Sequence, residues 1–186
     1  MRVEVLGTVR VRTPEGEVDL PSGKERALLA ALALRAGRVV GVGTLLTALW
    51  GDRPPTTAPR TLQSHVSRLR GRLGATAVES APSGFRLALD PAATDVGVLE
   101  RLVSEGLAAA RRRDVHAARE HFGRAEQLWR GEPLTDWADG PDRQAQVDRV
   151  REMLQAAREG RLRADLDLGA PAASVDELRR LVADDP

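Results

Sequence analysis

The apolar residues of this chain change period three times, and that succession restricts the fold more than any single motif. Over residues 1–12, Val3, Val5, Val9 and Val11 alternate with Glu4, Thr8, Arg10 and Arg12, the period of two expected of a half-buried strand. Thr13-Pro14-Glu15-Gly16 reads as a turn, and Glu17-Val18-Asp19-Leu20 as the returning strand. Ser22 and Glu25 then form an S-x-x-E pattern, which predicts a capping box, and Gly37 stands where a glycine would close the helix that follows. Leu28, Leu29, Leu32 and Leu34 cover most of that helix's circumference, so it is expected to be nearly buried. Leu45, Leu46, Leu49 and Trp50 suggest a second, short helix, ended by Gly51-Asp52-Arg53-Pro54-Pro55, and residues 57–74 a third. From Ala77 the period returns to two, with a hairpin expected over 77–80 and 85–89 around a turn at Ala81-Pro82-Ser83-Gly84.

After Asp90-Pro91-Ala92-Ala93, read as a linker, only helical spacing remains. Residues 95–112 carry Val96, Leu99, Leu102, Val103 and Leu107. Asp114 caps a helix presenting Ala118, Phe122, Ala125 and Trp129. Gly131-Glu132-Pro133 breaks it, and a less regular stretch around Trp137 follows. A long helix then carries Val147, Val150, Leu154, Ala157 and Leu166 as far as Gly169, and Ser174 with Glu177 opens a last one. Two domains are expected, 1–92 and 93–186.

Charge divides in the same way. Residues 1–92 hold 13 basic and 8 acidic side chains, net +5, and residues 93–186 hold 15 and 19, net −4, so the total of +1 conceals a basic half. The absence of cysteine fits a reducing compartment. The longest wholly apolar run is the eight residues 27–34, far short of the roughly 20 that span a bilayer. No signal-peptide core follows Met1-Arg2-Val3-Glu4, so a cytoplasmic location without membrane contact is expected.

The third helix is the most informative. At about 100° per residue, Leu62, Val66, Leu69 and Leu73 form one narrow stripe. The opposite face carries Arg60, Ser64, Ser67, Arg68 and Gly71, flanked by His65, Arg70 and Arg72, with four arginines and no acid between Thr56 and Leu73. An ordinary solvated helix has the same pattern. A helix of this kind nevertheless suits a DNA major groove, about 12 Å wide, where arginine pairs with guanine and small residues permit close approach. Three helices followed by a hairpin are the element order of a winged helix-turn-helix.

The string TLQSHVSRLRGRLG (61–74), with LLTALWG (45–51) and SGFRL (83–87), resembles the effector domain of OmpR/PhoB-type response regulators. MRVEVLGTVRV at the start and SGKERALLAALALRAGRVV (22–40) are similar to the Streptomyces antibiotic regulatory protein (SARP) family. The resemblance implies an α+β winged helix, with an N-terminal antiparallel sheet, three helices and a hairpin wing, followed by an all-α tetratricopeptide-like bacterial transcriptional activator domain. It implies a recognition helix over 58–73, with Ser64, Ser67 and Arg68 facing bases and Arg60, His65, Arg70, Arg72 and Trp50 near phosphates. At the wing, Ser83 and Arg86 are the available residues, because an arginine common at the family's wing tip is missing from Ala81-Pro82-Ser83-Gly84-Phe85. The implied partners are double-stranded DNA, bound as tandem direct repeats by a dimer in the nucleoid, and the sigma and alpha subunits of RNA polymerase. No cofactor or metal is implied.

In the second half, Arg113-Asp114 stands where such repeats turn on Gly-Asp, and Val147–Leu168 with Val175–Val182 would make a second helix pair. The family's helical domain is longer, so the chain is expected to be a shortened piece or a short member. An apolar face would then await the winged helix, a second protomer or further residues. The rival reading is a tetratricopeptide-like interaction or sensor module whose basic half docks an acidic protein. His116 and His121 lie five apart and do not align as metal ligands, and Asp165-Leu166-Asp167 is too sparse for a calcium loop. Gly41-Val42-Gly43 reads as a loop, Arg111-Arg112-Arg113 as a solvated helix end, and no catalytic Ser/His/Asp set can be argued from spacing.

Overall fold

A computed structural model describes residues 1–169, so the expected helix from Ser174 lies outside the described residues. The chain forms two compact units that do not coincide with the two halves of the sequence. The first joins Met1–Val98 to Arg130–Val150, and the second joins Leu99–Trp129 to the residues from Arg151 onward.

In the first unit, β1 (Arg2–Glu4), β2 (Arg10–Thr13) and β3 (Gly16–Glu17) form an antiparallel sheet with Val3 opposite Val11. In place of the single strand expected over 1–12, the chain turns back between β1 and β2; Val3 and Val11 are fully buried, but Glu4 and Leu6 are buried as well, so the alternation does not hold through residues 3–7. The next helix, α1 (Gly23–Ala33), buries every residue from Ala27 to Ala33. Its start differs from the expected capping box. The Ser22 side chain caps nothing, its carbonyl accepts from the Glu25 and Arg26 amides, and the Glu25 carboxylate is buried instead of returning to the helix start.

Next come β4 (Val39–Gly41), α2 (Val42–Trp50), α3 (Ala58–Leu73), β5 (Val78–Ala81) and β6 (Gly84–Leu87). The wing is a three-stranded sheet in the order β4-β6-β5. The hairpin is thus joined by a strand that the sequence does not announce, and Gly41-Val42-Gly43 is the end of β4 and the start of α2, not a loop. Three residues are too few to display a period. Their pairing with β6 (Val40 opposite Phe85, Gly41 opposite Gly84) defines the strand. Gly84 is required there, since a Cβ on it would stand 1.9 Å from the Val40 carbonyl oxygen.

The supposed linker is a 3-10 turn over Pro91–Ala93, with Asp90 accepting from the Ala92 amide at 2.8 Å. Asp95 follows, 1% exposed, and its carboxylate accepts the Val5 and Leu6 amides at 2.8 Å. The segment beginning at Arg130 completes this unit. The Arg130 amide donates to the Leu6 carbonyl at 2.9 Å, Arg26 holds Asp136 through two hydrogen bonds at 2.7 and 2.8 Å, and the Ala138 amide reaches the Ala48 carbonyl at 2.8 Å. Leu134 and Trp137 of this segment are buried.

Three helices account for the described part of the second unit: α4 (Asp95–Arg111), whose first turn belongs to the first unit, α5 (Val115–Glu126), and α6 (Pro141–Asp167), from Arg151 on. Phe122 lies between two glycines, because a Cβ on Gly106 or Gly160 would come within 2.6 or 2.4 Å of its ring. Arg113 adopts φ +61, the left-handed conformation that the Gly of a Gly-Asp turn would supply, and Asp114 caps α5 through the Ala117 amide at 3.1 Å. No described helix is long and apolar enough to cross a membrane.

Candidate nucleic-acid interface

Helix α3 is seated by Ala58, Leu62, Val66 and Leu69, all buried, and Pro59 occupies its first turn, where a missing amide costs nothing. It stops at Gly74, whose φ of +105 suits glycine. The outward face presents Arg60, Gln63, Ser64, Ser67, Arg68 and Gly71, all exposed. No acid lies on the helix, and the space around Gly71 is open. The expected base-facing residues Ser64, Ser67 and Arg68 therefore share one solvent-facing surface with Arg60. Gln63 belongs with them and was missed. The same 100° arithmetic puts it three residues from Arg60, and glutamine can pair with adenine through two hydrogen bonds.

The flanks differ from the phosphate-facing set expected there. His65 is only 7% exposed, with its ring centroid 6.3 Å from that of Trp50 and its Nδ1 buried without a hydrogen-bond partner. At 140° around the helix from Arg60 it falls on the buried side, against α2. Burial lowers its pKa, the positive charge of Arg68 adds to that effect, and Glu25 opposes it. Arg70 is engaged within the fold, its Nε donating to the Val78 carbonyl at 2.7 Å and its Nη2 to Ser80 Oγ at 3.0 Å, which ties α3 to β5 of the wing. Arg72 donates to the Asp19 carbonyl at 3.1 Å and lies 3.2 Å from the Glu25 carboxylate. Trp50 is half-buried, with the Lys24 ammonium 5.6 Å above its ring and that ammonium donating to the Leu49 carbonyl.

At the wing, the Ser83 carbonyl accepts from the Val42 amide at 3.1 Å, leaving its side chain exposed at the turn. Arg86 projects from the exposed face of β6 and pairs with Glu79 of β5. Its charge is thus compensated within the sheet. Among the described residues no group of three His, Asp or Glu side chains could hold a metal ion. His116 is exposed, and His121 Nδ1 lies 3.3 Å from the Glu105 carboxylate.

Residues 94–186 match the family described as bacterial transcriptional activator domain, and residues 16–83 match that described as transcriptional regulatory protein, C terminal. The regulatory protein DnrI of Streptomyces peucetius is 34% identical over the whole chain and 72% of its own length. The chain belongs to the SARP family of transcriptional regulators. The regulatory protein AfsR of Streptomyces coelicolor is 37% identical, again over the whole of this SARP-family chain, which spans 19% of AfsR. A solved structure of Mycobacterium tuberculosis EmbR in complex with a low-affinity phosphopeptide aligns with a TM-score of 0.89 and 29% identity, covering 98% of this chain and 50% of that one. The α+β winged helix and the all-α domain after it are therefore the SARP architecture.

Proposed function

We propose that this SARP-family chain is a non-enzymatic, sequence-specific DNA-binding transcriptional activator that places α3 in the major groove. The observation that carries this reading is the acid-free outward face of α3, where Arg60, Gln63, Ser64, Ser67 and Arg68 stand exposed above a fully buried stripe. Arg68, 60% exposed at the side chain, is the base-reading arginine, and Gln63, Ser64 and Ser67 complete the reading surface. Arg60 and the Trp50 edge meet the phosphate backbone, which sets register and not sequence. Arg70 acts by holding the wing against α3. Ser83 at the wing tip meets the neighbouring backbone, and Arg86 contributes only if it leaves Glu79.

Family membership supports the remaining steps. Two protomers bind side by side on tandem direct repeats in the nucleoid and cytoplasm, and the helical domain contacts the partner protomer or the sigma and alpha subunits of RNA polymerase. Genomic footprinting followed by titration of the footprinted and scrambled duplexes at two salt concentrations tests this reading. Arg68→Ala is expected to cost about 1–3 kcal/mol and to relax preference at one base pair. Unchanged affinity and unchanged sequence preference in Arg68→Ala would remove it from the reading face. A wild-type protein that binds no duplex near physiological salt, yet captures an acidic protein, would favour the interaction-module reading.

A further inference from the structure

The Glu25 side chain makes no capping contact in α1, whose first turn it occupies, and the residue is 2% exposed. Its carboxylate faces two arginines of α3, with Oε1 3.8 Å from Arg68 Nη1 and Oε2 3.2 Å from Arg72 Nε. Oε2 is fully buried and has no hydrogen-bond partner of good geometry. A buried carboxylate satisfied so incompletely depends on its cations, because removing one of them leaves an uncompensated charge in the interior. The anion is fixed by the packing of α1, so it cannot follow either arginine outward.

We infer that Glu25 is a positioning residue that sets DNA specificity: from α1 it steadies Arg68 for base reading and keeps Arg72 off the phosphate backbone. The inference rests on the reading of α3 as the DNA-contacting helix. The two arginines are held differently. Arg68 touches the carboxylate through one nitrogen at the outer limit of an ion pair, so its remaining donors face solvent. Arg72, 37% exposed, is bound at both ends of its guanidinium, by Glu25 and by the Asp19 carbonyl. Binding to random DNA is carried by backbone charge, since matching base edges are rare there, and an arginine that stays on Glu25 adds nothing to that sequence-independent attraction. An operator offers base edges that Arg68 can meet without leaving Glu25. Withholding Arg72 therefore lowers random binding more than specific binding, and the ratio of the two increases.

Glu25→Gln keeps the shape and removes the charge. In the full chain, its affinity for a random-sequence duplex is expected to rise about two- to fivefold, the scale of one released arginine meeting a solvent-exposed phosphate. The slope of log affinity against log salt should steepen by about 0.9, and the ratio of footprinted to random affinity should fall. Arg72→Gln is the second variant, and in the wild-type background its salt slope is read whether or not Glu25→Gln folds. In the wild-type background it should leave the salt slope unchanged, and in the Glu25→Gln background it should abolish the gain. A slope that falls by about 0.9 in Arg72→Gln alone means that Arg72 already rests on a phosphate, and overturns the inference. So does a folded Glu25→Gln protein with wild-type slope and ratio, while specific wild-type binding leaves the reading of α3 intact. Absence of any duplex binding by the wild type overturns both together.

Discussion

Burial lowers the pKa of the His65 imidazole, and this makes the stability of the first unit depend on pH. Above the ordinary histidine value of 6.5 the ring is neutral in both the folded and unfolded chains. As pH falls through that value, the unfolded chain binds a proton that the folded chain resists, so stability declines until the lower folded-state pKa is passed and then levels off. Denaturant midpoints measured on either side of this window should show the decline, and His65→Gln should remove it. A His65→Gln protein with the same pH dependence would locate the titration elsewhere. The outward face of α3 was legible because solvent and core alternate with the helical period. What period cannot show is whether a flanking side chain finds a partner across the fold. Arg70 and Arg72 have the sequence signature of solvated arginines, but the Val78 and Asp19 carbonyls take them up.

Element by element, the wing shows how a short strand depends on its neighbour. β4 is three residues long and exists through β6, whose Gly84 backbone lies close enough to Val40 of β4 to exclude any side chain. Gly84→Ala should therefore separate β4 from β6 and cost about 1–3 kcal/mol in denaturant unfolding. Gly71→Ala is the contrasting case. Its Cβ would meet nothing, so it should stabilise α3 by about 0.5–1 kcal/mol. Equal and small effects at both positions would show that β4 is not held by this approach. The hairpin of β5 and β6 was readable because Ala81-Pro82-Ser83-Gly84 is a turn by composition. The third strand was not, because its partner lies more than forty residues along the chain and its own length is below one readable repeat.

For the molecule as a whole, the boundary between family domains and the boundary between packed units differ. The activator-domain match begins at residue 94, whereas the first unit takes in Asp95 and the segment Arg130–Val150. A fragment cut at residue 92 would lack Asp95, which accepts the Val5 and Leu6 amides, and Asp136, which holds Arg26. Leaving a buried donor without its partner costs about 1–3 kcal/mol. The fragment 1–92 should accordingly unfold at markedly lower denaturant than the first unit of the full chain, and amides around Val5 and Leu6 should exchange faster. Equal protection in the two proteins would show that the segment from Arg130 adds nothing to the stability of the winged helix.

The amino-acid sequence alone determined the order of the described helices and of the β5–β6 hairpin, the buried and outward faces of α3, the Asp114 cap and the SARP resemblance. Each depends on local period, on turn chemistry or on a contiguous string of residues. Only the tertiary structure decided that His65 is buried, that Glu25 faces Arg68 and Arg72, that β4 joins the wing, and that residues after Arg130 complete the first unit. These features join groups far apart in the chain, and whether such a pair forms depends on the packing of everything between them, which leaves no periodic trace in either segment.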